Sequence, residues 1–360
     1  MDVLDPRDGA AASRARLLGW LAVQRAFALA PQEIPEALRE APLEAWLRLP
    51  GVRAFSPREG AHVLGTLARH GVRALPLVSP AYPERLRRLS DAPALLLVRG
   101  TAALLGVRAV AIVGSRAATA YGLATARRLA FDLARAGLAV VSGLARGIDA
   151  AAHEGALEAG GATLAFQACG PERVYPAAHR RLAERIAAQG ALLTEFPVGT
   201  PPLGAYFPLR NRLISALAEA LVVVEGRERS GSLVTARLAG DQGVQVLAVP
   251  GPVDSPTSAG PHALIRDGAH LVRDARDVLG ELGIEAPEAP GPAPAPQGGD
   301  PLVRSILAAL RREPLARDAL AARLARTPAE LAAPLLELEL AGRVREDRDG
   351  SLRLLPPRPL

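Results

Sequence analysis

The stretch VAIVGSRAATAYG at 110–122 decides the fold: four apolar residues run into Gly-Ser-Arg and then into a helix-forming segment. The stretch AVVSGLARGIDAAAHEG at 139–155 repeats that arrangement. Short aliphatic strands that each lead through a glycine-containing turn into a helix predict βαβ units. Such units form a parallel sheet that is buried on both faces.

The same alternation continues on both sides of these two units. The predicted strands span 110–113, 139–142, 162–166, 191–194, 221–224 and 246–249. Two earlier apolar segments, 73–78 and 95–98, would extend the edge of the sheet. We therefore predict an α/β fold, a Rossmann-like doubly wound parallel sheet, over residues 72–284.

The flanking regions have other patterns. Residues 1–71 carry apolar residues at helical spacing, interrupted by prolines, and predict a small helical domain. Residues 285–300, EAPEAPGPAPAPQGGD, can bury almost nothing and predict a linker. Residues 301–360 predict three helices and a hairpin around Asp349-Gly350, which is the pattern of a winged helix. Its third helix should begin at the capping box Thr327-Pro328-Ala329-Glu330.

Composition narrows the class of protein. No apolar run reaches the roughly 18–20 residues of a membrane span, and the acidic start MDVLDPRDGA is unlike a signal peptide. The single cysteine, Cys169, excludes an internal disulfide, and no Cys/His cluster has the spacing of a zinc site. We therefore expect a cytoplasmic protein with no metal, no cofactor and no membrane partner.

All 43 basic residues are arginine, and the chain contains no lysine. A genome with GC-rich codons would produce this bias. Whatever its origin, the absence excludes a Walker-A phosphate lysine, a Schiff base and pyridoxal chemistry. The net charge of +6 and the pI near 10.4 are compatible with a polyanionic partner.

Polar residues follow the predicted strands where ligands bind in open parallel sheets, at the carboxyl ends. Glycines there allow close backbone approach, and serine hydroxyls, helix N-termini and arginines suit anionic oxygens. We predict a polyanion site made by Gly114, Ser115, Arg116, Gly143, Arg146, Phe207, Arg210, Asn211, Arg212, Arg229, Ser230, Gly231 and Ser232. Several arginines beside an aromatic ring are typical of a site for single-stranded nucleic acid.

Several of these residues have a plainer interpretation. Gly114-Ser115-Arg116 could form a tight turn, and Ser230-Gly231-Ser232 could cap a helix. Phe207 could stack a base or fill the core, whereas Tyr121 and Tyr175 are expected in the core.

Four blocks of the sequence resemble successive signatures of the DNA-processing protein DprA (Smf) family. They are VAIVGSRAATAYG, VVSGLARGIDAAAHEGAL, FPLRNRLISALAEALVVVEGRERSGSLVTA and VLAVPG, and the resemblance covers about 75–280. It implies a homodimeric binder of single-stranded DNA that protects incoming DNA in natural transformation and loads RecA onto it. The sequence shows no set of nucleophile, base and orienting residue, so we expect no enzymatic activity. A single-strand-binding protein is a further candidate partner, and the helical domain at 1–71 would be of the SAM or helix-hairpin-helix type.

The resemblance points to the site residues named above other than Gly114 and Arg229, with two departures from the family pattern. Phe166-Gln167 stands where small apolar residues are usual, and Arg229 stands where lysine is usual. Arg229 has the same positive charge as that lysine, but its planar guanidinium replaces a compact ammonium.

Two other functions compete with this hypothesis. A nucleoside-monophosphate hydrolase of the lysine-decarboxylase-like type shares the fold, and Glu225, Glu228 or the pair Asp149 and His153 could supply its acid–base chemistry. The PGGxGTxxE block of those enzymes is replaced here by EGRERSGSLVTA. A winged-helix transcription factor is the other alternative, but the third helix PAELAAPLLELELAG carries three glutamates and no basic residue.

Overall fold

The computed structural model of the protein describes residues 3–8, 10–285, 300–310, 315–347 and 350–354. The chain forms two compact units, Met1–Pro287 and Glu288–Leu360. Most of the predicted linker at 285–300 lies outside the described residues, and the predicted domain boundaries at 71, 284 and 300 stay predictions.

A nine-stranded sheet forms the centre of the first unit, with strand order β1-β2-β6-β5-β4-β3-β7-β8-β9. The strands are β1 Val72–Pro76, β2 Leu95–Gly100, β3 Ala109–Val113, β4 Ala139–Ser142, β5 Thr163–Phe166, β6 Ala191–Thr194, β7 Ala220–Val223, β8 Gln245–Ala248 and β9 His270–Leu271. Neighbours from β6 to β9 are parallel, whereas β1 and β2 pair antiparallel at one edge. The predicted α/β class and its six central strands are confirmed.

Helices cover both faces of this sheet. The helices of the first unit are α1 Ala11–Phe27, α2 Leu43–Trp46, α3 Pro57–Arg69, α4 Glu84–Arg87, α5 Ala120–Arg135, α6 Ile148–Glu158, α7 Arg180–Gln189, α8 Tyr206–Leu217, α9 Gly231–Asp241, α10 Ala259–Arg266 and α11 Ala275–Glu281. Short 3-10 turns occupy Pro31–Glu33, Glu36–Leu38, Ala102–Gly106 and Ala177–His179. None of the helices in the described part of the chain has both the length and the apolar character of a membrane span.

The N-terminal helices pack on one face of the sheet. Trp20 and Trp46 are fully buried and meet edge to face, with ring centroids 5.4 Å apart. They belong to the same hydrophobic core as Leu95 and Phe166 of the sheet. Helix α5 packs on the other face through Leu129 and Leu133, so the central strands are buried on both sides.

The second unit contains α12 Pro301–Leu310, α13 Arg317–Leu324, α14 Pro328–Leu340 and a three-stranded sheet of β10 Leu315–Ala316, β11 Val344–Glu346 and β12 Ser351–Leu354. Helix α14 begins with the predicted capping box, in which Thr327 and Glu330 each accept from the other's backbone N–H. Strands β11 and β12 form the predicted hairpin, and Gly350 takes a positive φ of 79°. The winged-helix pattern is confirmed.

Candidate nucleic-acid interface

An open cleft of about 740 Å³ lies at the carboxyl ends of the central parallel strands. Strand β3 pairs with β4 on one side and with β7 on the other, so the chain reverses its direction of progress along the sheet here. Open α/β sheets bind ligands at this switch point. The cleft is lined by ten of the thirteen predicted site residues: Gly114, Ser115, Arg116, Phe207, Arg210, Asn211, Arg229, Ser230, Gly231 and Ser232.

The turn after β3 brings Arg116 to the rim. A Cβ on Gly114 would lie 2.6 Å from Ile148 and 2.9 Å from the carbonyl oxygen of Glu225, so only glycine fits there. The Ser115 hydroxyl accepts from the N–H of Ala117, at 3.1 Å. Arg116 is exposed, and its guanidinium carbon lies 4.9 Å from the ring centroid of Phe207.

Glu225, a possible general base from the sequence, instead holds the start of α5. Its carboxylate accepts from the backbone N–H of Thr119 at 2.9 Å and from the Thr119 hydroxyl at 2.5 Å. The side chain is buried, and a Cβ on Gly122 would lie 2.4 Å from it. The carboxylate therefore acts as a structural anchor for the turn that carries Arg116.

The turn after β4 is organised around the buried guanidinium of Arg210, whose side chain is only 3% exposed. Its Nη1 donates to the carbonyl oxygens of Gly143 (2.6 Å) and Phe166, and a Cβ on Gly143 would lie 2.5 Å from that nitrogen. Burial lowers the pKa of Arg210 to about 10, although the nearby Asp149 carboxylate opposes that shift. Arg210 thus lies at the floor of the cleft and joins two strand ends.

Asp149 and His153, the other candidate acid–base pair, have structural roles. Asp149 accepts from the backbone N–H groups of Gly143 (3.1 Å) and Ala145 (3.3 Å). His153 is fully buried, its Nδ1 lies 2.7 Å from the Thr163 hydroxyl, and burial lowers its pKa to about 3. A histidine held neutral in the core cannot exchange protons with a ligand in the cleft.

Helix α8 presents one aromatic ring to the cleft and one to the core. Phe207 is half-buried, lines the cleft and lies near Arg116, Arg210 and Tyr175. Tyr206 stacks on the buried Phe196, with centroids 5.0 Å apart. Phe207 is therefore a lining residue, which removes the alternative that it only fills the core.

The sequence-based assignment of Arg212 to the cleft is wrong. Arg212 follows Arg210 by two residues, which turns its side chain to the other side of α8. There it is 5% exposed and pairs with Glu195 at 2.6 Å and with Asp91 at 2.9 Å. These two carboxylates neutralise its charge inside the protein.

Helix α9 begins at the opposite wall of the cleft. The Ser230 hydroxyl lies 2.7 Å from that of Ser232, so it bonds a neighbouring hydroxyl and leaves the first N–H groups of this 11-residue helix uncapped by a side chain. The exposed Arg227 and Arg229 precede it. A helix N-terminus beside two arginines favours an anion.

Four predicted positions need adjustment. Gly143 is buried and contributes its carbonyl to Arg210 rather than a surface to the cleft. Arg146 is exposed one residue beyond Ala145, which does line the cleft. The prediction that Tyr121 and Tyr175 belong to the core is wrong, because they are 50% and 48% exposed.

Among the lining residues that the sequence prediction missed, Tyr175 adds an aromatic ring and Arg227 adds a positive charge. The signal for Arg227 was present, since it shares the Arg-Glu-Arg run with Arg229. Within the described residues, no three His, Cys, Asp or Glu side chains cluster as a metal site would require.

Fold and site together define a doubly wound α/β protein with an arginine-rich cleft at its switch point, followed in the chain by a winged helix. The sequence model of DNA recombination-mediator protein A matches residues 73–283, and that of the DprA winged helix domain matches 289–350. The chain therefore belongs to the DprA family.

Individual relatives agree with this assignment. Protein Smf of Escherichia coli is 41% identical over 287 residues, which is 78% of this chain and 77% of that protein. The X-ray structure of DNA processing protein A from Streptococcus pneumoniae is 31% identical, with a TM-score of 0.61 over 73% of this chain and 97% of that one. A structure of the Helicobacter pylori protein, described in terms of its single-stranded DNA binding mode, is 30% identical, with a TM-score of 0.52 over 56% and 92%.

Proposed function

We propose that this protein binds single-stranded DNA in the cleft, protects it and loads the RecA recombinase onto it during natural transformation. The observation that carries the proposal is the meeting of Arg116, Arg227 and Arg229 with the half-buried ring of Phe207 in one open cleft. Arginines can neutralise successive phosphates, and an accessible ring can stack a base. The single-stranded DNA binding of the Helicobacter pylori relative supports the proposal.

The cleft favours a single strand over a duplex on physical grounds. Base stacking on a protein ring requires a base that is free of its own neighbours, and in a duplex the bases are stacked on each other. A cleft of about 740 Å³ takes a few nucleotides. We therefore expect contact with several phosphates and at least one unpaired base.

A side-by-side titration tests this proposal. The purified protein is titrated with an oligothymidylate, a duplex of equal length and a mononucleotide at several salt concentrations. We expect tight binding of the single strand alone, with a log–log salt slope of about −0.7 per neutralised phosphate and about −2 to −4 in total. Equal affinity for the duplex would contradict the proposal.

We also propose that the protein is not an enzyme. The carboxylates of Asp149 and Glu225 hold backbone N–H groups and are buried, so they are poorly disposed to accept a proton from water or substrate. We expect no release of base from nucleoside monophosphates. Turnover at ordinary enzyme rates that Glu225→Gln or Glu228→Gln abolishes would favour the hydrolase instead.

Loading of RecA and self-association rest on membership of the family. The test is the rate at which RecA filaments form on DNA coated with single-strand-binding protein, with and without this chain, together with its mass in solution. We expect faster filament formation and a homodimer. An unchanged rate with intact DNA binding would limit the function to protection of the strand.

A further inference from the structure

Tyr175 is the most open aromatic ring of the cleft. It lines the cleft and keeps 48% of its surface exposed, although only 3% of the chain is aromatic. Phe207, by contrast, is surrounded: the Arg116 and Arg210 guanidinium carbons lie 4.9 and 5.9 Å from its ring centroid, and the Tyr175 ring lies 5.6 Å from it. Of the two rings, Tyr175 offers more free surface to a ligand.

The loop that carries Tyr175 is held firmly at its start. The buried Gln167 side chain donates to the carbonyl oxygen of Arg173, at 2.9 Å. The Thr194 hydroxyl donates to the carbonyl oxygen of Cys169 at 2.8 Å, and the N–H of Gly170 donates to that of Thr200 at 3.0 Å. An exposed side chain on a loop with this many hydrogen bonds loses little backbone entropy when a ligand binds.

The far end of the loop is fixed to the turn after β4. His179 Nδ1 lies 2.9 Å from the carbonyl oxygen of Leu144, directly before Ala145, which lines the cleft. Val174 packs partly buried against the core that contains Leu144. Tyr175 therefore stands between two anchored points beside the strand ends.

We propose that Tyr175 is the side chain on which an unpaired base stacks, and that Phe207 supports it from behind while orienting Arg116. This inference rests on the proposed binding of single-stranded DNA. Stacked carbon atoms lie about 3.5 Å apart, so a base between two rings needs centroids about 7 Å apart. The Tyr175 and Phe207 rings are 5.6 Å apart, so a base takes the open side of Tyr175 rather than the space between them.

In this proposal Gln167 is a positioning residue for the loop that carries Tyr175. Its amide donates to the carbonyl oxygen of Arg173 and so holds the loop two residues before Tyr175. Gln167→Leu keeps the size of the side chain and removes that hydrogen bond. We expect a loss of DNA affinity smaller than that of Tyr175→Ala.

The experiment compares Tyr175→Ala, Tyr175→Phe and Tyr121→Ala in the full chain, with an oligothymidylate and with inorganic polyphosphate as ligands. Tyr121 is the matched control, since it is 50% exposed but is not a lining residue of the cleft, and its hydroxyl donates to the carbonyl oxygen of Pro250 at 3.0 Å. We expect Tyr175→Ala to weaken oligothymidylate binding about 5- to 100-fold. Polyphosphate affinity and the salt slope should not change, Tyr175→Phe should restore binding, and Tyr121→Ala should match the parent.

Two results would overturn the inference alone. The first is parental oligothymidylate affinity in Tyr175→Ala. The second is an equal loss of oligothymidylate and polyphosphate affinity, which would mean that the substitution only distorts the cleft. A parent chain that binds no oligothymidylate would overturn the proposed function, and the inference with it.

Discussion

Arginine is the basic residue of both units, but the cleft and the winged helix use it differently. In the winged helix, Arg317 pairs with Glu339 and Glu346, Arg326 pairs with Glu330, and Arg345 pairs with Asp347. In the cleft, no carboxylate lies within ion-pair distance of Arg116, Arg227 or Arg229 among the residues that the structure describes. The number of arginines is therefore a poor guide to a polyanion site, and the partner of each arginine is a better one.

The third helix of the winged helix strengthens this contrast. Glu330 and Glu339 pair with arginines on neighbouring elements, and Leu336 and Leu340 are 56% and 80% exposed. The helix itself carries no basic residue that could bind a phosphate, and its exposed leucines offer apolar contact area. We propose that the winged helix mainly contacts protein.

The largest expected effect is on stability, at the buried ion pairs of Arg212. Burial raises the pKa of Glu195 to about 7 even though Arg212 opposes that shift, so the carboxylate depends on its partner. Arg212→Ala should lower the free energy of unfolding by about 3–5 kcal/mol in urea denaturation. Arg317→Ala, which breaks exposed pairs of the winged helix, should cost about 0.2–1 kcal/mol.

Two further measurements define the role of Arg212. Glu195→Gln in the Arg212→Ala background should recover part of the lost stability, because it removes the unpaired charge. The folded Arg212→Ala protein should bind single-stranded DNA as the parent does. A large loss of DNA affinity without a loss of stability would show that Arg212 contributes to the DNA site after all.

The next largest effect is on DNA affinity, at Arg116, which forms no ion pair with a carboxylate among the described residues. Arg116→Ala should weaken binding of single-stranded DNA by about 1.5–3 kcal/mol and make the salt slope shallower by about 0.7. Arg135→Ala is the control, since this exposed arginine ends the helix that Arg116 precedes. An unchanged salt slope in Arg116→Ala would show that Arg116 does not contact a phosphate and that the phosphates bind elsewhere.

The smallest effect is expected from removal of the winged helix. A chain that ends at residue 290 retains the whole first unit and the cleft. It should keep its affinity for single-stranded DNA to within ten-fold, or about 1.4 kcal/mol, in the same titration. A greater loss would make the winged helix part of the DNA site and end the contrast between the two units.

The fold was largely predictable because buried parallel strands are short aliphatic runs that end at glycine-containing turns. Local pattern does not encode strand direction, so the antiparallel pairing of β1 with β2 could not be predicted. Strand β9 has only two residues, both exposed, and leaves no apolar signal.

The candidate site was predictable where residues directly follow strands, as Arg116 does. It was not predictable where contacts between residues far apart in the sequence decide the direction or the exposure of a side chain. Arg212 lies two residues from Arg210 but meets Glu195 and Asp91, which the sequence does not connect to it. Tyr175 is exposed because hydrogen bonds from Gln167 and other distant residues fix its loop.

Photochemical cross-linking tests the central claim most directly. An oligothymidylate that carries 5-iodouracil is irradiated in complex with the full chain, and mass spectrometry maps the attached peptides. We expect cross-links within 173–176 and 206–212, which contain Tyr175 and Phe207, and we expect Tyr175→Ala to lose the first set. Cross-links confined to 300–354, with none at the cleft, would contradict the account.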